Sequence, residues 1–136
     1  MKNIEKVYNF LMSNDFRLIK KDTSDFFGDY YDLFTNGFFQ LRLSSSKSFE
    51  TIDIKSILPD ENWYDLALVK AMLYNEKKLD NITTIENHLA FLQNEINNIS
   101  DLFNNKNYLV TKKRLEDLGD ERVKQMFTGY MAPSIS

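Results

Sequence analysis

The one histidine of this chain, His88, and the complete lack of cysteine narrow its possible chemistry at once. No imidazole pair or triad can hold a metal, no thiolate can ligate zinc, and no cysteine can act as nucleophile. His88 lies beside an apolar seam of helical spacing, which reads as a partly exposed structural histidine. A serine nucleophile would need a presenting turn such as G-x-S-x-G, whereas the serines gather in the run Ser44-Ser45-Ser46-Lys47-Ser48. The glycines Gly28, Gly37, Gly119 and Gly129 are too far apart to cradle a phosphate. Asp22, Asp25, Asp29 and Asp32 lack the spacing of a calcium loop and are split by Phe26, Phe27, Tyr30 and Tyr31. With 20 acidic residues some carboxylate pairs are inevitable, so pairing alone marks no hydrolase. The expectation is a protein without catalytic residues, cofactor or metal.

What stands out instead is the mixture of acids and rings over the first half of the chain. From Lys21 to Leu66 there are nine acidic residues against four basic ones, a local net charge of −5 within an overall −3. Rings with carboxylates between them have the composition of a protein interface, the acids steering a basic partner and the rings giving desolvated contact. The expected partner-binding residues are Asp25, Asp29, Tyr30, Tyr31 and Asp32, helped by Glu50 and Asp53, with Phe38 and Phe49 on the sheet face away from the core. The bland reading gives the same rings to the core. A second alternative is a small-ligand pocket between sheet and helices, lined by Tyr30, Tyr31, Trp63 and His88. The basic run Lys112-Lys113-Arg114 is followed by Glu116 and Asp117, so ion pairing along a helix explains it. A pI near 5.2 argues against nucleic acid or an anionic membrane as partner.

These residues must be positioned by secondary structure that the sequence marks in order. Ile4, Val7, Tyr8 and Leu11 form one apolar stripe, giving a helix over 4–13 that Ser13-Asn14-Asp15 ends. The period then changes from about 3.6 to 2, the mark of strands with one buried face. Strands follow at 16–20, 29–35, 38–43 and 49–54, with Phe39, Leu41, Leu43, Ile52 and Ile54 inward. Asn36-Gly37 between two such runs predicts a hairpin with a type I′ turn. Pro59, Asp60 and Glu61 suit a helix entrance, and Trp63, Leu66, Val69 and Leu73 predict a helix over 62–76.

Thr83-Thr84-Ile85-Glu86 fits a capping box, with Thr83 as cap. Beyond it, Ile85, Leu89, Leu92, Ile96, Ile99 and Phe103 make a heptad seam. A seam of this kind requires a partner, either Tyr108, Thr111, Leu115 and Leu118 in an antiparallel hairpin or a second chain, so monomer and homodimer are both open. Gly119 should cap that helix, leaving a short helix at 121–127 and a flexible tail from 128 to 136. The chain is thus expected to be a single α+β domain over 1–127, with an N-terminal helix, a four-stranded antiparallel meander, and three to four helices packed on one face.

The opening helix, Asp25-Phe26-Phe27-Gly28-Asp29-Tyr30-Tyr31, the Phe39-Gln40-Leu41-Arg42-Leu43 and Ile52-Asp53-Ile54 strands, and Trp63-Tyr64-Asp65-Leu66 opening the helical half form a layout over 4–127. That layout resembles small bacterial toxin-immunity proteins. The resemblance implies an acidic, cytoplasmic, non-enzymatic protein that covers a basic toxin or effector. A phage-encoded inhibitor of a host defence system would have the same properties. The N-terminal segment carries charges among its apolar residues, and no window approaches the roughly 18 uncharged apolar residues of a membrane span, so the expected location is the cytoplasm.

Overall fold

The computed structural model of the protein describes residues 3–23, 30–46 and 49–135. Its first element is helix α1 (Asn3–Ser13). The predicted stripe is the buried one, with Val7 and Leu11 fully enclosed. At its end the amides of Asn14 and Phe16 both donate to the Leu11 carbonyl at 3.1 Å. This closure places Asp15 in the left-handed region, φ 65°, a position that glycine usually fills.

The described residues then form five strands in an antiparallel sheet of order β1-β2-β3-β4-β5: β1 (Arg17–Thr23), β2 (Tyr30–Thr35), β3 (Phe39–Ser46), β4 (Phe49–Ser56) and β5 (Tyr64–Asp65). The register pairs Phe34 with Leu41 and Leu41 with Ile54, and Leu43 with Ile52. Cross-strand partners share a face, so one side of the sheet presents Phe34, Phe39, Leu41, Leu43, Ile52 and Ile54, all with no exposed surface. The register of β1 shifts between Leu18 and Lys20, which blunts this edge strand together with Lys20 and Lys21.

The β2–β3 hairpin forms where Asn36-Gly37 predicts it, but not with a type I′ turn. Within the turn, Gly37 has positive φ, at 90°, and Asn36 does not, whereas a type I′ turn needs two such residues. The Asn36 side-chain oxygen instead accepts from the amides of Phe38 and Phe39 at 2.9 and 3.1 Å. Phe38 therefore belongs to the turn and not to the strand, where it had been expected.

The helical half is α2 (Leu66–Tyr74), α3 (Ile85–Phe103) and α4 (Tyr108–Ile135). Contacts fix these helices to the core side of the sheet. Tyr8 of α1 meets Phe34 edge-on at 5.2 Å between ring centroids, Phe103 of α3 meets Phe39 at 5.9 Å, and Tyr108 of α4 meets Phe103 at 5.7 Å. The seam is filled within the chain: Ile85, Leu92, Ile99 and Phe103 are buried, as are Tyr108, Thr111 and Leu115 of α4. The class is α+β as expected, with one strand more and three helices after the sheet.

Four boundaries differ from the sequence pattern. Residues 62–65 are not helical: Tyr64 and Asp65 form β5, with Tyr64 paired to Ile54, and Trp63 before them stacks on Arg42. Helix α2 starts only at Leu66, where the Asp65 carboxylate caps it by accepting from the Ala67 amide at 3.0 Å. Thr84, not Thr83, caps α3, accepting from the Asn87 amide at 3.2 Å. Helix α4 runs straight through Gly119 to Ile135, across the segments expected as a separate helix and a tail. A glycine without a neighbouring helix end does not force termination, and Gly119 packs near Leu68 of α2 instead.

Candidate functional site

Among the described residues the helices lie on one side of the sheet, and the other side is left as a half-exposed open face. The register assigns to it Lys20 from β1, Tyr31 and Leu33 from β2, Arg42 from β3, and Phe49, Asp53 and Lys55 from β4. The centre is a cross-strand ion pair, Arg42 Nη2 to Asp53 Oδ2 at 2.9 Å. The Arg42 guanidinium also lies 4.5 Å from the Trp63 ring centroid, and the Lys55 ammonium lies 5.6 Å from it. Lys20 sits 5.5 Å from the Tyr31 ring. Cations on ring faces pre-order long side chains that would otherwise lose rotamer freedom on binding. Burial pushes the Asp53 carboxyl upward against the opposing pull of Arg42.

The expected binding residues do not form one surface. Tyr31 and Asp53 are on the open face, while Tyr30, Asp32 and Glu50 share the helix-bearing face through the pairs of Tyr30 with Ser45 and Ser45 with Glu50. Adjacent strand residues point to opposite faces, so Tyr30, Tyr31 and Asp32 could never have faced one partner together. Asp25 and Asp29 lie outside the described residues.

Asp32 is a correction in itself. It has no exposed surface, and its Oδ2 accepts from Lys21 Nζ at 3.3 Å, while Oδ1 has no hydrogen-bond partner among the described residues. Burial raises its carboxyl, the response of a charged group taken out of water. An enclosed carboxylate of this kind cannot contact a partner. Tyr30 is half-buried, its phenol raised by burial and by the nearby Glu50 charge. Phe49 is the expected ring most openly displayed on the face, 56% exposed.

The residues weighed as a small-ligand pocket also separate, since Tyr31 and Trp63 are on the open face and His88 is on the helix side. His88 is buried, not partly exposed: only 3% of its surface is accessible, and its Nδ1 has no hydrogen-bond partner among the described residues. Burial lowers its pKa to about 4, with Lys70 adding to the effect and Asp65 opposing it. The imidazole is therefore neutral at pH 7. Among the described residues no group of three or more histidine and carboxylate side chains could hold a metal ion, and no helix is long and apolar enough to cross a membrane.

Two contributors were not among the expected partner-binding residues. Arg42 and Trp63 organise the open face, yet they come from a strand and a connection 21 positions apart. Their signal was the apolar alternation that turned Arg42 outward; nothing in the sequence placed the indole above it. No protein family, curated protein or solved structure matches the chain.

Proposed function

We propose that this chain is a non-enzymatic protein-binding domain of the immunity or inhibitor kind, which occludes a partner by laying the open face of its sheet against it. The observation that carries this reading is the one-sided packing, which leaves Tyr31, Trp63 and Phe49 on the face opposite the helices. Tyrosine, tryptophan and arginine are the residues that most often carry binding energy at protein interfaces. Here Arg42 is already held by Asp53 and Trp63, so docking on it costs little further ordering.

The resemblance to toxin-immunity proteins and the overall charge of −3 favour a basic partner. The open face itself mixes Lys20, Arg42 and Lys55 with Asp53, so its contribution is ring contact and register more than attraction. The test is co-purification of the tagged chain from its source cell with the product of the adjacent gene. The combined Tyr31→Ala and Trp63→Ala variant, checked for retained fold by circular dichroism, is expected to lose that product. Retention of the same partner by the folded variant would refute the assignment.

A further inference from the structure

Beside the start of β4 the open face runs into a groove of about 340 Å³. Most of its wall comes from the first residues of β4, the connection over 79–83 and the second half of α4, with Asp65, Ala67 and His88 completing it. The groove is held in shape by polar contacts. Gln125 of α4 donates to the Lys77 carbonyl and accepts from the Leu79 amide, both at 2.7 Å, which ties the connection to the helix. Arg122 of α4 reaches the Asp65 carboxylate at 2.8 Å, which ties the helix to the sheet.

Around this fixed frame stand Phe49, Ile82, Val123 and Met126, between 50% and 77% exposed. Four large apolar side chains round one cleft are unusual on a surface that has nothing to bind. Phe127 continues the stripe of Val123 and Met126 along α4 and is itself 62% exposed. His88 also lines the groove, and it is the buried imidazole whose Nδ1 has no hydrogen-bond partner among the described residues. The polar part of the lining is one-sided in charge. Among the described lining residues Glu50, Asp65 and Asp80 stand with Arg122, which is already paired with Asp65, so the described wall presents more acid than base to an occupant.

We propose that this groove takes a basic amphipathic segment of a partner protein, its apolar side chains against Phe49, Val123 and Met126 and its lysine or arginine side chains against Glu50 and Asp80. The assignment rests on the protein-binding reading and extends it, since Phe49 belongs both to the open face and to the groove. It also returns Glu50 to an interface, beside the groove and not on the face where the sequence placed it.

The probe is a synthetic amphipathic peptide of leucine and lysine, followed by fluorescence anisotropy against the full chain, with a leucine and glutamate peptide of the same pattern as counterpart. Only the lysine peptide is expected to bind. Met126→Asp, and separately Glu50→Lys combined with Asp80→Lys, should each weaken it at least tenfold, whereas Tyr31→Ala should leave it unchanged. All these positions are exposed or half-buried, and thermal unfolding confirms that each variant is folded. Equal binding of both peptides, no binding of either, or indifference to the groove variants would overturn the proposal. Affinity lost on Tyr31→Ala but kept by Met126→Asp would overturn the groove while leaving the open-face reading intact. Loss of the natural partner by the open-face variant, with no peptide binding, would do the same.

Discussion

Acidification should destabilise the fold through His88, and the size of the effect follows from its surroundings. The imidazole is 3% exposed and its folded pKa is about 4, against 6.5 for the unfolded chain. Below pH 6.5 the unfolded state takes up a proton that the folded state refuses, so stability present above 6.5 is lost as the pH falls toward 4. At about 1.4 kcal/mol per pH unit the loss across this window is about 3 kcal/mol, a large share of the roughly 5–15 kcal/mol of a typical domain. The assay is urea unfolding of the native chain and of His88→Leu from pH 7 to pH 4. The carboxylates titrate in both proteins and cancel in the difference. Native stability should fall relative to the variant by about 3 kcal/mol over that range. Parallel profiles would refute the buried, neutral imidazole.

Other substitutions probe the rest of the molecule. Asp32→Asn should stabilise the protein at pH 7 by on the order of 1 kcal/mol, because it removes a charge that burial disfavours. The raised carboxyl gains its proton on acidification, so this advantage should shrink as the pH drops through the carboxylate range, which urea unfolding at several pH values measures. Gly119→Ala should add about 0.5–1 kcal/mol, since Gly119 is inside α4 and the new Cβ would meet Leu68 Cδ1 at an ordinary 3.9 Å. A fall in melting temperature would contradict the continuous helix. Phe39→Ala should cost about 3–5 kcal/mol, because Phe39 is fully buried between Phe16 and Phe103.

The parts of this fold that could be read from sequence are those fixed by local pattern. The alternation of Phe39, Leu41 and Leu43 gave the inward face of β3, and the spacing from Ile85 to Phe103 gave α3. What could not be read depends on contacts between distant segments. Strand β5 is two residues long and exists because Tyr64 pairs with Ile54, so the apparent helical spacing of Trp63 and Leu66 misled. The seam drew His88 as a side-line residue, whereas α3 is enclosed on more than one side and His88 and Phe91 are buried with it.

The candidate site followed the same division. Acids and rings adjacent in sequence looked like one surface, but strand alternation sends Tyr31 outward and Asp32 into the helix-bearing face. The apolar groove had no sequence signature, because Phe49, Ile82 and Met126 meet only after β4, the 79–83 connection and α4 have packed.

The central claim is that the open sheet face is a protein-docking surface. The most direct measurement is chemical-shift mapping of the isotopically labelled chain in complex with the partner that co-purifies with it. The largest changes are expected at Tyr31, Arg42, Asp53 and the Trp63 indole, with Tyr8 and Phe103 unmoved. Changes confined to the helical side, with the Trp63 indole and Arg42 side chain undisturbed, would contradict the account.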